Sequence, residues 1–215
     1  MENLLTNQFL THHVLEGSVA VVPFKETEAN YFELLDDNTM IYFLAGEGVA
    51  PYSNNSELKV KVINYESFHI TLPPAFILGR QICDLITYTS TVNNYFSLNE
   101  LTDTDPKYVV DFTNTRGNRK GKRNKAMEQL HDTLALLISV PAIRLYIDNF
   151  TVKKCCFFNK KATPPVTAPA VITAVATFNT INTLTEEGFE MSHPGIEACG
   201  FKLFEYSGGK SARII

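Results

Sequence analysis

Six cations crowded into one short stretch are the side chains of this sequence best suited to chemistry. Arg116, Arg119, Lys120, Lys122, Arg123 and Lys125 all lie within TRGNRKGKRNK, residues 115–125. No acidic residue intervenes between Asp111 and Glu128. The whole chain carries 19 Lys and Arg against 23 Asp and Glu, so the stretch is a basic island on an acidic body. Such an island suits a polyanion, because each Lys or Arg that neutralises a phosphate releases condensed counterions. An acidic protein surface would satisfy it equally by charge complementarity. The stretch holds no aromatic residue. A stacking platform for a single strand must therefore come from elsewhere, and Tyr95, Phe96, Tyr108 and Phe112 are the nearest rings. Sequence-independent phosphate contact is expected in preference to reading of bases.

Other chemically able residues carry weaker signals. Gly209, Lys210 and Ser211 end like a phosphate-binding loop, but Phe204 stands where that motif needs a glycine. His12, His13 and Glu16 could touch a metal from one helical face, yet no third ligand is near in sequence. Asp103 and Asp105 flank Thr104 before Pro106, and Asp36, Asp37 and Asn38 form a second polar cluster. Both read as turns, because Asp and Asn bond back to their own backbone. His69, His131 and His193 read as packing, solvent or turn residues. Cys83, Cys155, Cys156 and Cys199 lack the two-residue spacing of zinc or redox pairs, so they are expected as reduced, mostly buried thiols. No metal and no cofactor is expected, and no catalytic motif supports an enzyme.

The elements that must position the basic stretch can be read from periodicity. Phe and Tyr number 24 and Thr and Asn are frequent, which favours strands and turns. Strands are expected at 18–24, 39–46, 107–113, 171–179 and in ACGFKLFEYS. ELKVKV alternates Leu58, Val60 and Val62 with charges, and Phe68, Ile70 and Leu72 alternate again, predicting a hairpin. AIRLYIDNF alternates likewise and predicts a strand. KKCCFFNKK predicts another strand or an edge hairpin, with lysines guarding the edges. The segment 75–92 is ambiguous between strand and helix. The principal helix is expected at about 125–139, with Met127, Leu130, Leu134, Leu137 and Ile138 at helical spacing and Pro141 as its stop. The interrupting glycines and asparagines make residues 115–125 a loop feeding that helix. An anion at this junction would meet both the cations and free backbone amides.

The expected fold is therefore a β-rich α+β domain, a sandwich or jelly-roll-like sheet with one principal helix. Residues 1–161 would form the main domain with the basic loop. Residues 162–215 would be a Pro-rich connector and C-terminal strands, packing on the same domain or on a neighbouring subunit. The N-terminus lacks the pattern of a secretory signal and no stretch has the length and apolarity of a membrane span. The first functional expectation is a non-enzymatic structural subunit of a large assembly, a virus or bacteriophage component made in a reducing cytoplasm. Its partners would be copies of itself, other subunits and DNA or RNA phosphates, with no membrane. The alternatives are a free nucleic-acid-binding protein and an enzyme without a recognisable motif.

Overall fold

A computed structural model describes residues 1–15, 20–114, 117–161 and 188–215. It has the β-rich α+β fold expected from the sequence. The largest sheet has seven strands, here β1 (Phe24–Thr27), β5 (Val60–Asn64), β6 (Leu85–Thr89), β7 (Tyr95–Thr102), β10 (Val152–Asn159), β12 (Lys202–Ser207) and β11 (Phe189–Met191), in that spatial order. β5, β6 and β7 form an antiparallel meander, whereas β7, β10 and β12 run parallel. A parallel neighbour needs a crossover. Helices α4 (Lys122–Ile138) and α5 (Pro141–Asp148) provide it between β7 and β10. A second sheet of β13 (Ala212–Arg213), β4 (Ala50–Ser53), β2 (Tyr31–Leu34) and β3 (Ile41–Tyr42) lies on the opposite face. The two-stranded ribbon β8 (Phe112–Asn114) and β9 (Gly117–Arg119) stands apart.

Strand alternation sorts the core into two layers. Ile86, Phe96, Leu98, Cys155, Phe157 and Leu203 face the helices, meeting Leu130, Leu134 and Leu137 of α4 and Ile143 and Ile147 of α5. Leu85, Tyr95, Cys156, Phe158, Phe204 and Tyr206 face the second sheet, meeting Phe32, Leu34, Ala50 and Tyr52. The C-terminal segment completes both sheets. β12 pairs with β10, and β13 pairs with β4 beside buried Ile214.

Two expected strands are helices instead, for one physical reason. Residues i and i+4 share a face in a strand and in a helix alike. Phe68 and Leu72 fit both patterns, as do Ile143 and Ile147. The tie-breaker is the residue between them, and Ile70 and Leu145 are exposed. The chain after β5 thus folds as α2 (Tyr65–His69) and not as the return strand of a hairpin. Asn64 caps α2 by accepting from the Ser67 amide at 2.7 Å. Pro141 occupies the first turn of α5, where its missing N–H costs nothing. KKCCFFNKK forms the expected strand, β10, and not the alternative edge hairpin, since it lies at the centre of the parallel half. Its Lys154 is buried with its ammonium over the rings of Phe204 and Tyr95. The ambiguous segment divides into α3 (Pro74–Ile77) and β6, and the expected strand at 107–113 is a 3-10 turn (Pro106–Tyr108) followed by β8. The expected strand at 171–179 and the Pro-rich connector lie outside the described residues, as do Ser18 and Val19 of the strand expected at 18–24. Among the described residues no single helix is long and apolar enough to cross a membrane.

Leu134 is fully buried between α4 and the sheet, in the layer that covers the crossover. Leu134→Ala leaves a cavity there, and urea denaturation should show a loss of about 2–5 kcal/mol.

Candidate carboxylate site at the head of helix α4

α4 begins near the carboxyl end of β12, where Arg123 meets Glu205. Its first turn is set by the chain before it. Asp111 Oδ1 accepts from the Gly121 amide at 2.7 Å and from Asn124 Nδ2 at 2.8 Å. The Arg123 amide donates to the Val109 carbonyl at 2.9 Å. Gly121 is required by contact: a Cβ there would sit 2.2 Å from the Val110 carbonyl carbon. Residues 117–125 are therefore not a free loop. They form β9, a two-residue link and the start of α4, which opens at Lys122. Two amides of this junction are already bonded within the chain, which weakens the expectation of a phosphate held by free backbone groups.

The six predicted cations separate into classes. Arg116 lies outside the described residues. Lys120 pairs with Glu128. Arg123 is structural: its Nε lies 2.7 Å from Glu205 Oε2 and its Nη2 donates to Oε1 at 2.9 Å. Glu205 is only 5% exposed and faces the helices from β12. Arg119, Lys122 and Lys125 are exposed and have no ion pair among the described residues.

Beside this head lies a carboxylate cluster that sequence reasoning missed. Asp84 precedes β6, Glu100 lies in β7, Glu66 is in the first turn of α2 and Asp36 follows β2. A ligand oxygen from each of Asp36, Glu66 and Asp84 falls within 4.8 Å of the others. Asp84 and Glu100 form the floor, each 8% exposed, while Asp36 and Glu66 face solvent. Asp84 Oδ2 accepts from the Leu101 amide at 2.7 Å. Glu100 Oε2 is buried without a hydrogen-bond partner among the described residues. Buried polar atoms are seldom left unpaired, because desolvation is then uncompensated.

Electrostatics at the cluster follow from burial and like charge. Burial, then the neighbouring Asp36 and Glu66 charges, push Asp84 up to about 7, against the Leu101 amide and the Lys122 cation. Burial and then the Asp84 charge push Glu100 up to about 9, again opposed by Lys122. Burial and Asp36 raise Glu66. Lys122 is the cation that bears on both floor carboxylates. Oxygen-rich, acidic sites of this kind suit hard divalent cations such as Mg²⁺ or Mn²⁺.

The other motifs do not assemble. His12 and His13 contact each other, but His13 packs on Phe9 and Phe76, and Glu16 lies outside the described residues. Asp103 and Asp105 pair with Lys161. Asp37 closes its own turn, accepting from the Thr39 and Met40 amides, while its neighbour Asp36 joins the cluster. Residues after Ser211 form β13, not the helix a phosphate loop needs. All four cysteines are free thiols, and Cys83, Cys155 and Cys156 are buried.

Removing Arg123 strands the buried Glu205 charge. Arg123→Ala should cost about 3–5 kcal/mol in chemical denaturation, whereas Lys125→Ala should stay within about 0.5 kcal/mol. A pH dependence follows from the floor carboxylates. Both hold their proton more tightly folded than unfolded. Their contribution to stability is full below the ordinary carboxylate range and is lost as pH rises through about 7 for Asp84 and about 9 for Glu100. In metal-free buffer the urea midpoint should fall between about pH 5 and pH 9, and Glu100→Gln should remove most of the alkaline part of that fall. Comparison of the chain with protein-family models, curated proteins and solved structures finds no match, so the site stands on its own geometry.

Proposed function

We propose that this protein hydrolyses phosphodiester bonds with the help of a divalent cation held by Asp36, Glu66, Asp84 and Glu100. The observation that carries the reading is the clustering of Asp36, Glu66 and Asp84, with ligand oxygens within 4.8 Å of one another, beside the Glu100 carboxylate, which is more than nine-tenths buried with its Oε2 unpartnered among the described residues. A Gln129 hydrogen bond and the Lys122 charge offset only part of its burial, and an apolar side chain or a glutamine would cost less there. A ligand that repays the arrangement must be positive and must take oxygen donors. A bound cation would stabilise the charge that develops on phosphoryl oxygens.

The protein's own residues supply the remaining parts. Lys122 sits where it offsets the two floor carboxylates, and with Arg119 and Lys125 it gives the rim a positive side. A phosphate approaching the acidic floor is thereby drawn in by cations that have no ion pair among the described residues. The reaction adds water across one P–O ester bond, giving a phosphate monoester end and a free hydroxyl. Nucleic acid is the substrate class that the basic residues favour, in line with the expectation drawn from residues 115–125. The earlier expectation of a non-enzymatic virion subunit drew on composition and on the Pro-rich segment. The carboxylate site is more specific evidence and points to an enzyme.

Incubation with DNA and RNA in Mg²⁺ or Mn²⁺ should yield cleavage that chelation stops. Asp84→Asn and Glu100→Gln should each lower the rate by about a hundredfold or more. The same cations should raise the Tm of the wild type by mass action, and not that of Asp84→Asn. Absence of any metal-dependent shift in Tm would overturn the reading.

A further inference from the structure

We infer that the β8–β9 ribbon and the turn before it form a grip for single-stranded nucleic acid, in which Tyr108 and Phe112 stack a base and Arg119, Lys122 and Lys125 take phosphates. The role of this grip in delivering a strand rests on the phosphodiester reading, but its binding is measured without cleavage.

The rings nearest the basic stretch are sorted by the fold. Tyr95 and Phe96 are fully buried in β7 and are lost to any ligand. Tyr108 is 42% exposed. It meets Phe112 edge to face, with centroids 5.0 Å apart and planes at 62°. Lys107 places its ammonium 4.8 Å from the Tyr108 ring centre, so a cation already accompanies the aromatic surface. Phe112 also lines a cleft of 410 Å³ with Arg119, Asn118, Lys120 and Asp111. That volume is in the range of small-ligand sites. Asp111, the carboxylate of this cleft, is engaged by Gly121 and Asn124, and Lys120 is paired with Glu128. Arg119 remains as the charge that faces a ligand.

The combination of aromatic faces and cations selects a strand whose bases are free. In a duplex each base face is covered by its neighbours, and only phosphates are offered to the surface. Three cations without an ion pair among the described residues then give modest, salt-sensitive attraction. A single strand adds stacking, which is tolerant of sequence because every base has a π face. The grip is continuous with the carboxylate site through Gly121 and Lys122, so a strand held at Tyr108 has its next phosphates beside α4.

The test is fluorescence anisotropy of labelled oligo(dT), alone and annealed to oligo(dA), with the full chain in EDTA so that no cation supports cleavage. The single strand should bind at least about tenfold more tightly than the duplex. Tyr108→Ala should weaken single-strand binding about tenfold, and Tyr108→Phe should keep it, which separates stacking from a folding defect. Arg119→Ala and Lys125→Ala should each flatten the dependence of log affinity on log salt. Equal binding of duplex and single strand, or an unchanged affinity in Tyr108→Ala, would overturn the inference. Cleavage is scored separately. Tyr108-dependent binding without metal-dependent cleavage supports the grip and removes the hydrolase reading. Cleavage that is indifferent to Tyr108, with no preference for single strands, does the reverse.

Discussion

Asp36, Glu66 and Asp84 are held together beside the buried Glu100, near the carboxyl end of β7, and the cost of keeping them there shapes the rest of the site. Asp84 and Glu100 lie on adjacent antiparallel strands, at the point where Leu85 pairs with Asn99. Their backbone positions are fixed by the ladder, so neither can retreat from the other. Glu66 is fixed by the capped start of α2, and Asp36 by the turn that Asp37 closes. Each position is set by an interaction that has nothing to do with the charge it carries. The repulsion and desolvation are therefore borne by the fold, and the two apolar layers must offset them.

The head of α4 answers that charge from the other side. The positive end of a helix favours anions, and Lys122 strengthens the effect on both floor carboxylates. Arg123, one residue on, turns inward to Glu205 and fastens the helix to the parallel half of the sheet. Adjacent cations thus serve different ends: one faces the site and the other holds the frame. Asp111 and Gly121 lock the preceding turn against the same helix. Ribbon, helix head and carboxylates therefore form one connected region, with the basic stretch as part of its wall.

The basic stretch and the carboxylates differ in how far each can be read from the sequence. Residues 115–125 stand out because their charges are consecutive, and consecutive charge is visible without a fold. The four carboxylates are scattered across the first half of the chain and belong to different elements. Asp36 reads as a turn residue, and Asp37 beside it is one. Glu66 falls between the two alternating runs that predict a hairpin, and that hairpin does not form. Asp84 falls in the ambiguous segment 75–92, and Glu100 lies in β7, a strand not among those expected from the sequence. The available signal was a pair of lone acids, at the start of one strand and within the next, in otherwise uncharged runs. It had no meaning until the two strands were known to pair.

The sequence by itself determined what depends on neighbours along the chain. The β-rich α+β character, the principal helix and its proline stop, the strands at Val60, Cys155 and Leu203, and the basic island all follow from local composition and spacing. Tertiary structure decided whatever required two distant segments to meet. It turned Ile143 and Ile147 into a helix face, because packing against the sheet chooses between periods that share an i, i+4 step. It set KKCCFFNKK inside the sheet between β7 and β12, excluding the edge hairpin that local pattern also allowed. It also decided which cations are free, since Arg123 finds its partner only when β12 lies beneath α4. Above all it brought Asp84 to Glu100, because a charge pair across a ladder is created by strand register and has no trace in the sequence of either strand.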